Sequence, residues 1–344
     1  MIFFRFRFAC ILFSFLVFLP VSACSAGDKP KAADLVKDGQ LIDVQSSRYQ
    51  GLFKEMRLRH HYPQEEIDAL FSGVTIKRRV LELMDSQWEA KPYYQYFPHF
   101  ITPAMIREGR AQIREHKDLL DRIEKEIGVE REILVAIWGI ESKFGRHKGA
   151  FNLFQTLNTM YDAYPRRRTF YRKQLVHFLL LCRENNVDPL EVTGSYGGAF
   201  GQTQFIPSSF REYAVDFDGD ARRDVWHSIP DILASIANYL HRFGWVYDAP
   251  IYREIGAELK SEELREAFRK GRKGFVARRD VAATQQVSLP PSPGEKKVTI
   301  VGLELKNNGM RFVAGYPNFQ AITAWNHSNR YAMAVTELAE KMAE

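Results

Sequence analysis

The chain lacks the features that announce several large protein classes. It has no G-K-[ST] and no G-x-G-x-x-G segment, so nothing marks a nucleotide-phosphate loop. Neither charge dominates: 48 Lys and Arg stand against 42 Asp and Glu. That balance is too weak and too dispersed for a nucleic-acid partner, although it suits an acidic polymer. Long apolar runs are missing apart from Phe8 to Leu19, which is short of the roughly 20 residues of a spanning helix. With 45 % hydrophobic and 26 % charged residues, neither a disordered chain nor a polytopic membrane protein fits.

Cysteine is scarce as well, and its three positions are informative. Arg5 and Arg7 precede the apolar run, and "VSAC", Val21 to Cys24, follows it, the pattern of a secretory signal over residues 1–23. Small residues before Cys24 resemble a bacterial lipobox, in which the cysteine is acylated and becomes the new N-terminus. That implies a lipid anchor reached from the periplasmic side, and Ser25 in place of aspartate points to the outer membrane. Ordinary cleavage to a soluble periplasmic protein is the alternative. Cys10 leaves with the signal and Cys24 carries lipid, so only Cys182 remains and no internal disulfide can form. Cys182, in "LLLCREN", is expected to pack as a small apolar side chain on a helix. Loss of the signal removes two arginines and no acid, leaving 46 − 42 = +4.

Residues 24–43 read as a small, charged tether, and 44–128 as an N-terminal helical lobe with apolar residues at helical spacing. The aromatic stretch "KPYYQYFPHFITP" interrupts that lobe with Pro92, Pro98 and Pro103. A second helical block occupies 129–249. Residues 250–317 change character, with β-branched runs, a "PPSPG" loop and an "NNG" turn that predict strands and hairpins. Residues 318–344 return to helical spacing. The expected fold class is mainly α (α+β): a helical core with a small β-rich insertion.

Within "LVAIWGIESKFG", Ile133, Ile137, Ile140 and Phe144 mark an apolar helical stripe, and Glu141 lies on it one turn beyond Ile137. A carboxyl there is partly desolvated, which raises its pKa toward that of a general acid working near neutral pH. Gly145 is the expected helix stop. A glutamate reaching water from the last turn is the plainer reading of the same residues.

"GIESKFG", "NLFQTLNTMYDAYPRRRTFYRKQL", "GSYGGAFGQTQFIPSSF", "DFDGDARRDVW", "SIANYLHRFGW" and "AITAWNHSNRYAMAV" together resemble, in order and spacing, the soluble lytic murein transglycosylase B family. The resemblance implies a lysozyme-like core that cuts peptidoglycan between N-acetylmuramic acid and N-acetylglucosamine and forms a 1,6-anhydro sugar without water. It gives Glu141 the role of sole acid and base. A hydrolase normally adds a second carboxylate, about 5 Å away as nucleophile or about 6.5–9.5 Å away to activate water. When the substrate's acetamide and C6 hydroxyl serve as nucleophiles, one carboxyl is enough. A lysozyme-type muramidase and a noncatalytic peptidoglycan-binding lipoprotein are the rival readings.

The resemblance further implies that Ser195 and Gln204 hydrogen-bond the sugar and the glutamate. Tyr239, Trp325, Asn326 and Tyr331 would line saccharide subsites, and Tyr96 would close them from the N-terminal lobe. Arg166 and Arg167 would face lactyl or peptide carboxylates. The four glycines between Gly194 and Gly201 read as a loop needing positive φ. In "DFDGDARRDVW", Asp216, Asp218, Asp220 and Asp224 alternate as in a calcium loop, but Ala221 stands at the usual glycine position and His227 replaces the closing glutamate. Asp216, Asp218, Asp220, the Arg222 carbonyl and Asp231 are the candidate ligands of a structural Ca2+ (or Na+); no cofactor is expected for catalysis. The resemblance leaves room for other cell-wall enzymes as partners.

Overall fold

The computed structural model describes residues 31–85, 91–294 and 297–344. Cys24 and the signal lie outside them. Helix dominates, in keeping with the expected mainly α class, and prolines and left-handed residues punctuate it. The N-terminal helices Ser47–His60, Gln64–Phe71 and Arg78–Asp85 lead to a short aromatic turn, Tyr93–Tyr96, begun by Pro92. The helix Pro103–Glu115 follows, with Thr102 accepting the N–H of Met105 as its cap. Next comes Lys117–Ile127, closed by Gly128 in the left-handed conformation.

The helix Arg131–Ser142 lies at the centre. Ile133 to Gly139 are all buried, so it is apolar on every side, and the helices Pro103–Glu115, Ile229–Arg242 and Asn329–Ala343 pack around it. Leu153–Ala163 and Arg168–Glu184 pair with each other, and Cys182 is buried on the latter.

Four antiparallel strands form a small sheet in the order Tyr252–Gly256, Met310–Gly315, Lys297–Glu304, Phe275–Ala277. Asn307 and Asn308 make the connecting turn left-handed, a conformation asparagine tolerates. Val298 and Ile300 point into a local core with Ile255, Leu264, Val281 and Tyr316, while Val301 and Leu303, on the other face, join the main core. The sheet is thereby anchored to the helical body rather than hung from it. The same stretch holds two helices, Glu262–Arg269 and Arg278–Gln285, among the strands expected from sequence.

Candidate active site

The central helix ends two residues earlier than its sequence suggests. It stops at Ser142, and Lys143, Phe144 and Gly145 are all left-handed, with φ of 49°, 56° and 81°. Phe144 is therefore not on the helical stripe. It folds back, edge-on to Trp138 at 5.3 Å, over Gly139, where a Cβ would come within 2.8 Å of its ring. Two non-glycine residues at positive φ cost on the order of 1–3 kcal/mol each, and the surrounding contacts hold them. The Ser142 hydroxyl accepts the N–H of Gly145 (3.1 Å), and the Trp138 indole donates to Gln202 (2.8 Å), whose amide donates to the Trp226 carbonyl (2.9 Å). Gln202 thus bolts the helix end to the glycine-rich loop. Sequence reasoning missed it, although a buried tryptophan N–H always implies a nearby acceptor.

Glu141, half-buried on the last turn, meets two donors on one oxygen. The Tyr331 hydroxyl donates to Oε1 at 2.6 Å and the Trp325 indole to the same atom at 2.8 Å. Both come from the C-terminal helices Pro317–Trp325 and Asn329–Ala343, the second capped by Ser328. Burial pushes the carboxyl up to about 7, against the two donors, which favour the anion. Burial and the neighbouring Glu141 raise the Tyr331 hydroxyl well above its ordinary value, so it stays a donor. With Oε1 already accepting twice, the proton of the neutral acid belongs on Oε2, for which no protein hydrogen bond is found among the described residues.

The other expected residues fall in three groups. Around the acid, the Trp325 ring packs against Phe205 (4.9 Å) and Tyr239 (4.8 Å), and Tyr239 stacks on Phe243 (4.5 Å) while its hydroxyl donates to the Ala324 carbonyl. Tyr96 is buried against Phe100 and is an electrostatic neighbour of Tyr331. Asn326 follows Trp325, half-buried, its carbonyl accepting the N–H of Ser328. Phe205 is a member of this aromatic group that sequence reasoning did not single out.

A second group shapes the loop. Ser195 Oγ accepts the N–H of Ala199 (3.1 Å), and Gln204, at φ 50°, donates to the carbonyls of Gly201 (2.9 Å) and Lys148 (3.3 Å). Neither hydrogen-bonds Glu141, contrary to expectation; Trp325 and Tyr331 hold that position. Of the loop glycines, Gly198 and Gly201 have positive φ, whereas Gly194 is needed for space, since a Cβ there would lie 2.4 Å from the Ala199 carbonyl oxygen. Arg166 and Arg167 are exposed on the turn Pro165–Arg167, with Arg167 over the Phe170 ring at 4.2 Å; the adjoining Tyr171 donates to the Gly197 carbonyl.

A third group forms the acidic loop. Oxygens of Asp216, Asp218 and Asp231 lie within 4.8 Å of one another. Asp216 accepts the N–H groups of Gly219 and Ala221, and Asp231, fully buried, accepts those of Phe217 and Asp224. Burial raises the Asp231 carboxyl, while the Ser228 hydroxyl leads in lowering that of Asp218. Asp220 and Asp224 are not in the convergent trio: Asp220 accepts the N–H of Arg222, and Asp224 caps Trp226 and His227. Three hard carboxylates, one of them buried, match the donor chemistry of Ca2+.

Residues 45–340 match the family described as Transglycosylase SLT domain. The chain is similar to membrane-bound lytic murein transglycosylase B of Escherichia coli (strain K12), 30 % identical over 95 % of this chain and 96 % of that one. Among solved structures it resembles the Escherichia coli lytic transglycosylase Slt35 in complex with calcium, at TM-score 0.77 and 30 % identity over 90 % of this chain and 96 % of that one. It also resembles SltB3 from Pseudomonas aeruginosa in complex with NAG-anhNAM-pentapeptide, at TM-score 0.72 and 30 % identity over 87 % and 80 %. A match over residues 45–340, a span that includes Glu141 and both of its donors, places this protein in the SLT-domain transglycosylase family.

Proposed function

We propose that this protein is a peptidoglycan lytic transglycosylase that cleaves the bond between N-acetylmuramic acid and N-acetylglucosamine and leaves a 1,6-anhydromuramoyl end. Glu141 Oε2 gives its proton to the glycosidic oxygen as the C1–O bond breaks, and the bonding pair leaves with that oxygen. The muramoyl acetamide stabilises C1 meanwhile. The C6 hydroxyl then closes on C1 and returns its proton to the Glu141 carboxylate. Atoms and charge balance without water.

One observation carries this reading. Glu141 is poised by burial and two neutral donors, and among the described residues no carboxylate contributes to its raised pKa. A hydrolytic partner acid at about 5 Å would add a like-charge contribution. Tyr331 and Trp325 steady the anion between the two proton transfers. Ser195, Gln204, Tyr239, Asn326, Tyr96, Arg166 and Arg167 are the proposed sugar and peptide contacts, aromatic faces suiting pyranose rings and arginines carboxylates. The relative solved with NAG-anhNAM-pentapeptide supports that substrate class. Mass spectrometry of products from purified sacculi tests the proposal: muropeptides lighter by one water than the reducing sugars are expected, and free reducing ends would instead identify a muramidase.

Asp216, Asp218 and Asp231 would hold Ca2+, as the calcium complex of the relative suggests, neutralising three acids that otherwise repel. Asp220 and the Arg222 carbonyl are the further candidates. The ion is structural: it would tie the loop to the helix Ile229–Arg242. Chelation should lower the Tm by several degrees with recovery on adding Ca2+, and Asp218→Ala should abolish the Ca2+ response. An unchanged melting curve would rule the site out.

Cys24 is proposed as the lipid attachment point, placing the enzyme on the periplasmic face of the outer membrane. The related Escherichia coli protein is described as membrane-bound. Cys24→Ser should move the protein from the membrane fraction to the soluble one, and retention in the membrane would refute acylation there.

A further inference from the structure

We propose that Glu304, the last residue of its strand, is a positioning residue for the reaction. It clamps the aromatic turn Tyr93–Tyr96 to the first turn of the Asn329–Ala343 helix and thereby keeps the Tyr331 hydroxyl on Glu141. The inference rests on Glu141 being the catalytic acid, and it assigns the small sheet a part in the chemistry.

The connections converge from three distant segments. Glu304 Oε2 accepts the backbone N–H of Tyr93 (3.0 Å) and Nε of Arg330 (3.2 Å), and its Oε1 accepts Nη2 of Arg330 (2.5 Å). Arg330 immediately precedes Tyr331. Tyr93 is buried, and its hydroxyl donates to Glu337 at 2.5 Å, further along the Tyr331 helix. Arg311, on the strand next to that of Glu304, pairs with Glu337 and with Glu254 (2.6 Å). Tyr93 is therefore tied at both its backbone and its hydroxyl to acids that also hold the catalytic helix or its arginine. Tyr96, on the same turn, is an electrostatic neighbour of Tyr331.

Two physical arguments set this apart from ordinary surface pairing. Arg330 is the second residue of its helix, where the helix dipole disfavours a cation, and the opposing carboxylate offsets that. The pair is also two-pronged, which fixes direction as well as distance. A rotation of this first turn swings Tyr331 directly, because the hydroxyl sits at the far end of a rigid ring. Among the described residues, the groups that act electrostatically or by hydrogen bond on Glu141 and Tyr331 are Trp325, Tyr96 and Tyr239, all neutral, so none of them would compensate for a displaced hydroxyl by its charge.

The test is a set of pH-rate profiles on purified peptidoglycan for the wild type, Glu304→Gln, Tyr331→Phe and the double variant. Glu304→Gln should lower kcat about 5- to 10-fold with KM changed less than about twofold, the scale of one weakened hydrogen bond to a charged group. It should also move the alkaline limb to higher pH, as Tyr331→Phe should, because the Tyr331 hydroxyl favours the Glu141 anion. The double variant should be no slower than Tyr331→Phe alone, because both changes remove one contact. An unmoved limb, or effects that multiply, would overturn the proposal. Arg330→Lys breaks the fork from its other side and serves if Glu304→Gln does not fold. Glu262→Gln removes an exposed ion pair with Arg265, outside this network, and should lower stability alone. If Glu141 were not the acid, Glu141→Gln would remain active; a dead Glu141→Gln beside a normal Glu304→Gln defeats only the clamp.

Discussion

Replacing Glu141 with glutamine is expected to slow glycan cleavage by at least about 10³-fold, since one carboxyl serves as acid and then as base and each role is worth about 10²–10⁴. Binding of peptidoglycan should survive, because glutamine keeps the shape and still accepts from Tyr331 and Trp325. The same variant should be more stable than the wild type at alkaline pH. Burial raises the Glu141 carboxyl from its ordinary value near 4.5 to about 7. The folded state therefore favours the protonated acid, and the penalty for holding the anion grows from about pH 4.5 and is complete above about pH 7. Glutamine removes up to about 3 kcal/mol of that cost. Thermal melts at pH 8 and pH 4.5 check the sign: Glu141→Gln should melt higher at pH 8 and nearly equal to wild type at pH 4.5. Activity retained in this variant would remove the mechanism altogether. The wild-type rate should likewise fall as pH rises through about 7, because the first step needs the protonated acid.

Gly149→Ala should be the most damaging single-methyl change near the site. Gly149 has φ 91°, and a Cβ there would sit 2.1 Å from the backbone carbon of Gly194 and 2.5 Å from the N of Ser195. Neither neighbour is a flexible side-chain end, so the backbone must move. It lies beside the two-stranded pairing of Phe151–Asn152 with Thr193–Gly194 that sets the start of the glycine-rich loop. A loss of about 3 kcal/mol or more is expected, with a Tm lower by several degrees and activity reduced even in the fraction that folds. Gly219→Ala, at φ 81° but with open space around its Cβ position, is the control and should cost about 1 kcal/mol. Equal melts for the two variants would show that the close approach at Gly149 is relaxed in solution.

Much of the architecture is legible from local chemistry. The apolar stripe of Ile133 and Ile137 predicts a buried helix carrying Glu141, and the "NNG" turn predicts the hairpin that joins Lys297–Glu304 to Met310–Gly315. Alternation at Asp216 and Asp218 announces the acidic loop. The helix ends before the expected stop because the Phe144 ring packs on Trp138 and over Gly139, with Lys143 and Phe144 joining Gly145 in the left-handed region. Asp220 stands outside the convergent trio, its carboxylate accepting the N–H of Arg222.

Helical periodicity puts Glu141 on an apolar face, and the resemblance of its surrounding motifs to the transglycosylase family gives it the role of the acid. Its working state does not follow from the chain read in order. The donors to Oε1 stand 184 and 190 residues away in sequence, and the clamp from Glu304 to Tyr93 spans 211. Periodicity is a property of neighbours a few residues apart, whereas desolvation and hydrogen-bond geometry depend on which distant surfaces meet. The first can be counted along a sequence; the second exists only once the core has closed around it.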